Sequence, residues 1–233
     1  ANGGTGSASP VTLDYGTSVP LPTEGFAKEG STFIGWNTNP SATSAIGYYA
    51  MPAEDSTLYA IYSINQYTVT FDANGGEGSA EPVVQDYGTQ VALPTEGFTK
   101  TGYTFIGWNT SSSASTALTS FTVPAGDATL FAIYTINQYT VTFDANGGTG
   151  SASPVTQNYG TAVTLPASGF AKTGYTFIGW NTTADASTAL TSFTMPAEDT
   201  TLYAIYTVNQ YTVTFDANGG TGSASPVTLD YGA

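Results

Sequence analysis

The sequence predicts a mostly β chain, a tandem array of small domains arranged as beads on a rod. Three observations carry this expectation. An Ala-Asn-Gly-Gly motif returns with its asparagine at Asn2, Asn74, Asn146 and Asn218, each 72 positions after the one before, the mark of a repeat architecture. Trp36, Trp108 and Trp180, the tyrosines Tyr15, Tyr87, Tyr159 and Tyr231, and all three lysines, Lys28, Lys100 and Lys172, keep the same period. Within each unit, apolar residues alternate with Thr, as in Tyr67-Thr68-Val69-Thr70-Phe71, which is the period-two pattern of a strand with one buried face.

The period divides the chain into residues 1–64, 65–136, 137–208 and 209–233. Repeats 65–136 and 137–208 differ at 17 of 72 positions, many of them exchanges among Ser, Thr, Ala, Asp and Glu. Residues 1–64 lack the eight positions equivalent to Asn65–Asp72, residues 209–233 supply those eight and more, and residues 1–16 are identical to 217–232. Two readings stand side by side. The chain is an excerpt of a longer array, or Tyr211-Thr212-Val213-Thr214-Phe215 fills the place of the missing strand in a neighbouring molecule and links identical chains head to tail.

Taking one repeat in order, Tyr67 to Phe71 is the first strand. Asp72-Ala73-Asn74-Gly75-Gly76 then supplies residues that accept positive φ and marks a turn. A second strand is expected from Val83 to Leu93, interrupted near Tyr87-Gly88 and ended by Pro94. Thr95 to Gly102 is too short and too glycine-broken for a stable long helix, so at most one or two helical turns are expected there. Tyr103 to Trp108 is the third strand, Phe121 to Pro124 a short fourth, and Thr129 to Tyr134 a fifth, apolar on both faces and therefore central. The fifth runs into Tyr139 of the next repeat with no Pro- or Gly-rich linker, so adjacent domains are expected to be closely coupled, as a rod of roughly 100 Å.

Composition narrows the chemistry. The chain has 3 Lys plus Arg against 17 Asp plus Glu, a formal charge of −14, no His and no Cys. Such a charge offers no footprint for nucleic acid and is repelled by an anionic membrane surface. Without His and Cys, the commonest general base, thiolate nucleophiles, zinc–cysteine sites and disulfides are all excluded. With 40% hydrophobic and 13% aromatic residues the chain nonetheless buries a core, and no apolar run is long enough to span a bilayer.

The ordered motifs Tyr-Thr-Val-Thr-Phe-Asp-Ala-Asn-Gly-Gly, Gly-Tyr-Thr-Phe-Ile-Gly-Trp-Asn-Thr and Thr-Thr-Leu-Tyr-Ala-Ile-Tyr cover essentially the whole chain and resemble the Listeria-Bacteroides repeat, also called the internalin B-repeat-like domain. The resemblance implies a small α+β, β-grasp (ubiquitin-like) domain in large secreted or cell-wall-linked proteins, used as a spacer or adhesive module without enzymatic activity. One departure is Tyr62, Tyr134 and Tyr206, which replace a Trp common in the family.

Candidate sites are few. Each lone lysine, as in Phe98-Thr99-Lys100-Thr101-Gly102, offers an amine for an isopeptide bond, but its polar, glycine-flanked setting suits an exposed turn. The Asp-Ala-Asn-Gly-Gly turn with Glu54-Asp55 or Glu198-Asp199 supplies oxygen ligands for calcium, yet the spacing matches no known calcium loop, and Asp and Asn serve turn geometry equally well. The Trp and Tyr residues offer a carbohydrate platform, although Trp in an apolar strand belongs in a core. Asn109-Thr110-Ser111 and Asn181-Thr182-Thr183 are glycosylation sequons. No catalytic, cofactor or metal residue is assigned. The expected role is a non-enzymatic extracellular stalk or fibre module of a cell-surface or secreted adhesin-like protein, whose partners are adjacent repeats and identical chains. The alternative is a multivalent binder of a host protein, a glycan or another cell.

Overall fold

The computed structural model describes residues 1–233, which form fourteen strands and no helix. It divides into two compact units. One comprises Ala1–Thr99 with Phe105–Tyr134, the other Lys100–Thr104 with Thr135–Ala233.

In the first unit, β1 (Ser31–Asn37) pairs antiparallel with β2 (Tyr59–Ile64). The second repeat forms β3 (Gln66–Asp72), β4 (Val83–Asp86), β5 (Tyr103–Asn109) and β6 (Ala128–Ile136), in the sheet order β4-β3-β6-β5. β3 runs antiparallel to β4 and parallel to β6, with Val69 opposite Ala128 and Phe71 opposite Leu130. The alternation of β3 places Val69 in the core, fully buried, while β6 buries Leu130, Ala132 and Ile133. Residues on both faces of that strand are covered, as its central position requires.

The second unit repeats the plan. β7 (Gln138–Asp144), β8 (Val155–Asn158), β10 (Tyr175–Asn181) and β12 (Thr200–Val208) form a sheet in the order β10-β12-β7-β8. β9 (Ala162–Val163) pairs with β11 (Phe193–Thr194) in a separate two-stranded sheet. The terminal hairpin joins β13 (Gln210–Val213) and β14 (Val227–Asp230). Val141, Val163, Phe170, Trp180, Met195, Leu202 and Ala204 make one core cluster.

Two expectations need correction. The helical turns expected over Thr95–Gly102 do not form, because Gly97 and Gly102 adopt φ of +86° and +77°, a conformation that breaks a helix. Thr99 instead pairs in extended form with Glu77, through reciprocal N–H···O bonds of 2.7 and 3.0 Å, and Phe98 drops into the core. The single interrupted strand from Val83 to Leu93 proves to be two pieces in different places. β4 stays in the main sheet, and beyond the turn at Gly88 (φ +81°) the chain bonds to the fourth-strand segment, Val91 N–H to Phe121 O and Val123 N–H to Thr89 O, both 2.9 Å.

Candidate functional site

The most elaborate polar structure in each repeat is the Asp-Ala-Asn-Gly-Gly turn. Asn74 and Asn146 sit in the left-handed region, at φ of 51° and 50°, which Asn tolerates better than most residues. Asp72 and Asp144 accept the Asn backbone N–H at 2.7 Å. The side-chain amides then reach outward. Asn74 Nδ2 donates to Ser112 O and Ala132 O at 2.8 and 2.9 Å, and Asn146 Nδ2 to Ala184 O and Ala204 O at 2.6 and 2.9 Å. Asn2 makes the same pair of bonds, to Pro40 O and Ala60 O. One amide therefore ties the turn both to a loop and to the central strand.

Those bonds bear on the calcium reading. Asp72 and Asp144 already serve their own turns, Asp127 and Asp199 each accept a strand N–H, from Thr68 and Thr140, at 2.8 Å, and no three acidic residues stand together as a metal cluster. Lys172 lies 5.0 and 5.5 Å from the ring centres of Tyr175 and Tyr206 and donates to the Asn146 carbonyl at 3.5 Å. The Asn146 amide beside it is held by two carbonyls, so this pair has a cation–π arrangement in place of isopeptide geometry. Lys28 over Tyr62 and Lys100 over Tyr103 lie at 5.7 and 5.2 Å.

The tryptophans are core residues. Trp108 and Trp180 are 1% exposed, meet Phe98 and Phe170 edge-on at 4.7 and 4.6 Å, and donate Nε1–H to Pro94 O and Pro166 O at 2.7 Å. That burial removes them as a sugar platform. The sequon asparagines Asn109 and Asn181 donate their amides to Thr116 O and Thr188 O at 2.9 Å.

A second polar construction was not foreseen. At the start of the second repeat, Asn65 donates its N–H to Gly30 O and accepts the Tyr87 N–H on its own carbonyl, both at 2.9 Å, while its Oδ1 accepts the Thr32 hydroxyl at 2.6 Å. The Tyr87 ring lies flat against Gly30, where any Cβ would overlap it and where φ is +63°. The second unit contains the joint twice. Asn137 bonds to Gly102 O and Tyr159 N, and Asn209 to Gly174 O and Tyr231 N, with Tyr159 and Tyr231 packed on the two glycines. Each joint thus uses one asparagine, one tyrosine and one glycine that recur with the period.

Burial pushes the phenols of Tyr134 and Tyr206 above the ordinary tyrosine value; each donates its hydroxyl to a carbonyl, Ala73 O or Ala145 O, at 3.0 Å. No helix is long and apolar enough to cross a membrane.

Comparison with known proteins agrees with the repeat period. The Listeria-Bacteroides repeat domain matches residues 1–61, 67–133, 139–205 and 211–233. Two proteins of Evansella cellulosilytica are similar over most of the chain: one, named as a Gly-rich membrane protein, is 35% identical over 89% of it, and another, named as a membrane protein, is 34% identical over 90%. Internalin H of Listeria monocytogenes is 36% identical over 57% of the chain. The chain spans 26%, 32% and 24% of the lengths of these three relatives.

Proposed function

The chain belongs to the Listeria-Bacteroides repeat family, and from that premise we propose that it is a non-enzymatic structural spacer of a cell-surface or secreted protein. The observation that carries the reading is the surface of the two complete repeats. Their exposed large apolar side chains are Val84, Ile106 and Ile178, with no aromatic among them. A multivalent binder would present aromatic anchors at the same place on each copy, whereas a spacer needs a polar exterior and firm joints. The Asn–Tyr–Gly joint supplies the second requirement. The names of the membrane-protein and internalin relatives support a membrane-associated or surface setting. The strand order β4-β3-β6-β5 with its parallel central pair supports a β-grasp domain whose usual helix is replaced by the extended Thr95–Gly102 segment.

An identical chain is the partner that this reading names. Tyr211, Val213 and Phe215 are 55, 55 and 58% exposed, while the equivalent Val69 and Val141 are fully buried. In the first repeat, β2 has no parallel neighbour, and a cleft of about 430 Å³ opens beside Phe33, Trp36 and Ile46. In a longer array a preceding repeat would occupy that slot; between two of these chains, the 211–215 strand fits it. Small-angle scattering with analytical ultracentrifugation across concentrations tests both points. A concentration-independent elongated particle near 100 Å, the length expected for such domains in line, supports the spacer and rejects strand donation. Growth into long polymers supports donation, and a compact monomer overturns the spacer.

A further inference from the structure

The four Ala-Asn-Gly-Gly segments are a natural control for a reaction of the Asn-Gly bond. An asparagine followed by glycine loses its amide when the glycine's backbone nitrogen attacks the side-chain Cγ. A N–Cγ bond forms, the Cγ–Nδ2 bond breaks, and the attacking nitrogen's proton leaves with the departing group as ammonia. Water then opens the cyclic imide at one of its two carbonyls, giving aspartate or isoaspartate. Solvent supplies the only co-reactant. Glycine allows the attack because it has no Cβ to obstruct it, and thermolabile asparagine is a recognised weakness of proteins.

Backbone conformation does not distinguish the four sites. Asn2, Asn74, Asn146 and Asn218 have φ of 48°, 51°, 50° and 48°, and Asp72, Asp144 and Asp216 accept the following asparagine's N–H at 2.7, 2.7 and 2.8 Å. The side chains divide them. Asn2, Asn74 and Asn146 each donate Nδ2–H to two backbone carbonyls from distant parts of their repeat and are partly buried. The Asn218 side chain has no such bonds and is exposed. For Cγ to turn toward the next nitrogen, a clamped amide must leave both carbonyls, and one of these lies on the central strand. Its reaction therefore waits on local opening of the repeat.

We propose that Asn218 is a site of spontaneous deamidation, and that the two-carbonyl clamp protects the other three asparagines so long as their repeats stay closed. Amide loss at Asn2, Asn74 or Asn146 then records that the repeat holding it has opened. The clamp gives a long-lived exterior spacer chemical durability through its fold, at the bond its turn chemistry makes most vulnerable.

The test is to incubate the whole chain at mildly alkaline pH and map each site over time by peptide mass spectrometry, with isoaspartate detected separately. Asn218 is expected to convert at least about tenfold faster than Asn74 and Asn146, the factor that an opening free energy of about 1.4 kcal/mol imposes. In strong denaturant the rates should converge. Equal rates in the folded chain overturn the proposal, and so does a gap that survives denaturation, which would assign the difference to flanking sequence. A Trp180→Ala chain supplies the remaining arm. Whether that repeat loosens or unfolds, Asn146 should accelerate toward the Asn218 rate while Asn74 keeps its own; an unchanged Asn146 in a repeat shown by hydrogen exchange to be open would reject the clamp.

Discussion

The first and third repeats share their aromatic centre but differ by one strand. Phe26 and Phe33 meet Trp36 at 4.8 and 5.7 Å, and Phe170 and Phe177 meet Trp180 at 4.6 and 5.5 Å, in similar edge-on arrangements. This trio therefore assembles without the strand that precedes it. Only the third repeat has β7, which adds Val141 and sets Phe143 against the other side of Trp180 at 4.9 Å. With that neighbour, the last strand of the repeat runs nine residues as β12; without it, β2 runs six. Trp36 is 8% exposed against 1% for Trp180, and Ser18 and Ala50 make a lone bridge where the third repeat pairs β9 with β11. The hairpin and its aromatics are a local nucleus, and the parallel strand closes it.

Truncating the tryptophans is the strongest way to break that comparison. Trp180→Ala removes a ring packed on all sides and should destabilise its repeat by about 3–5 kcal/mol. Trp36→Ala empties a site already open toward a cleft and should cost distinctly less. Hydrogen exchange resolved by repeat measures both; equal losses would mean that β7 contributes nothing to the tryptophan's setting.

A change of one side-chain group at the clamp comes next. Asn146→Asp would point a carboxylate at Ala184 O and Ala204 O, two acceptors with no proton between them, and should cost about 1–3 kcal/mol, the penalty of a disrupted buried hydrogen-bonding group. Asn218→Asp, with no carbonyls to face, should leave the melting of both units unchanged. Calorimetry of the two variants sharpens the contrast, and a matching pair of shifts would remove the clamp from the account of stability.

Much of this plan is legible in the sequence, because period-two alternation and turn residues act locally. The Tyr67–Phe71 strand, the central fifth strand, the turn at Asn74 and the burial of tryptophan all follow from neighbours a few positions apart. The helical turns over Thr95–Gly102 were misjudged because the positive φ at Gly97 and Gly102 outweighs a short polar run. The second small sheet escaped because the partners of Val91 lie some thirty residues away, and nothing local names them. The clamp and the joint escaped for a related reason. Asn74 bonds to backbone carbonyls, which have no side-chain signature, and Asn65 meets Gly30 and Tyr87 across a repeat boundary. Their only trace is that Gly30, Asn65 and Tyr87 all return with the 72-residue period, a signal that marks them as required without saying for what.

The finest contrast is a single hydroxyl. Tyr206 donates to Ala145 O, whereas the equivalent Tyr62 hydroxyl is buried with no partner. Tyr206→Phe should cost about 1 kcal/mol, the net worth of one hydrogen bond, while Tyr62→Phe should be neutral or stabilising because it removes an unsatisfied polar atom. Alkaline titration separates the hydrogen bond from the packing. Burial raises the Tyr206 phenol above its ordinary value, so the folded state holds that proton more tightly than the unfolded chain does. Its contribution is complete below about pH 10, the unfolded tyrosine value, and is lost as pH rises through the higher folded value. Unfolding of the second unit should therefore become easier above that pH in the parent chain, and less so in Tyr206→Phe. If the variant instead keeps the full alkaline loss, Tyr206 is not its source, and the hydroxyl serves the turn through its hydrogen bond alone.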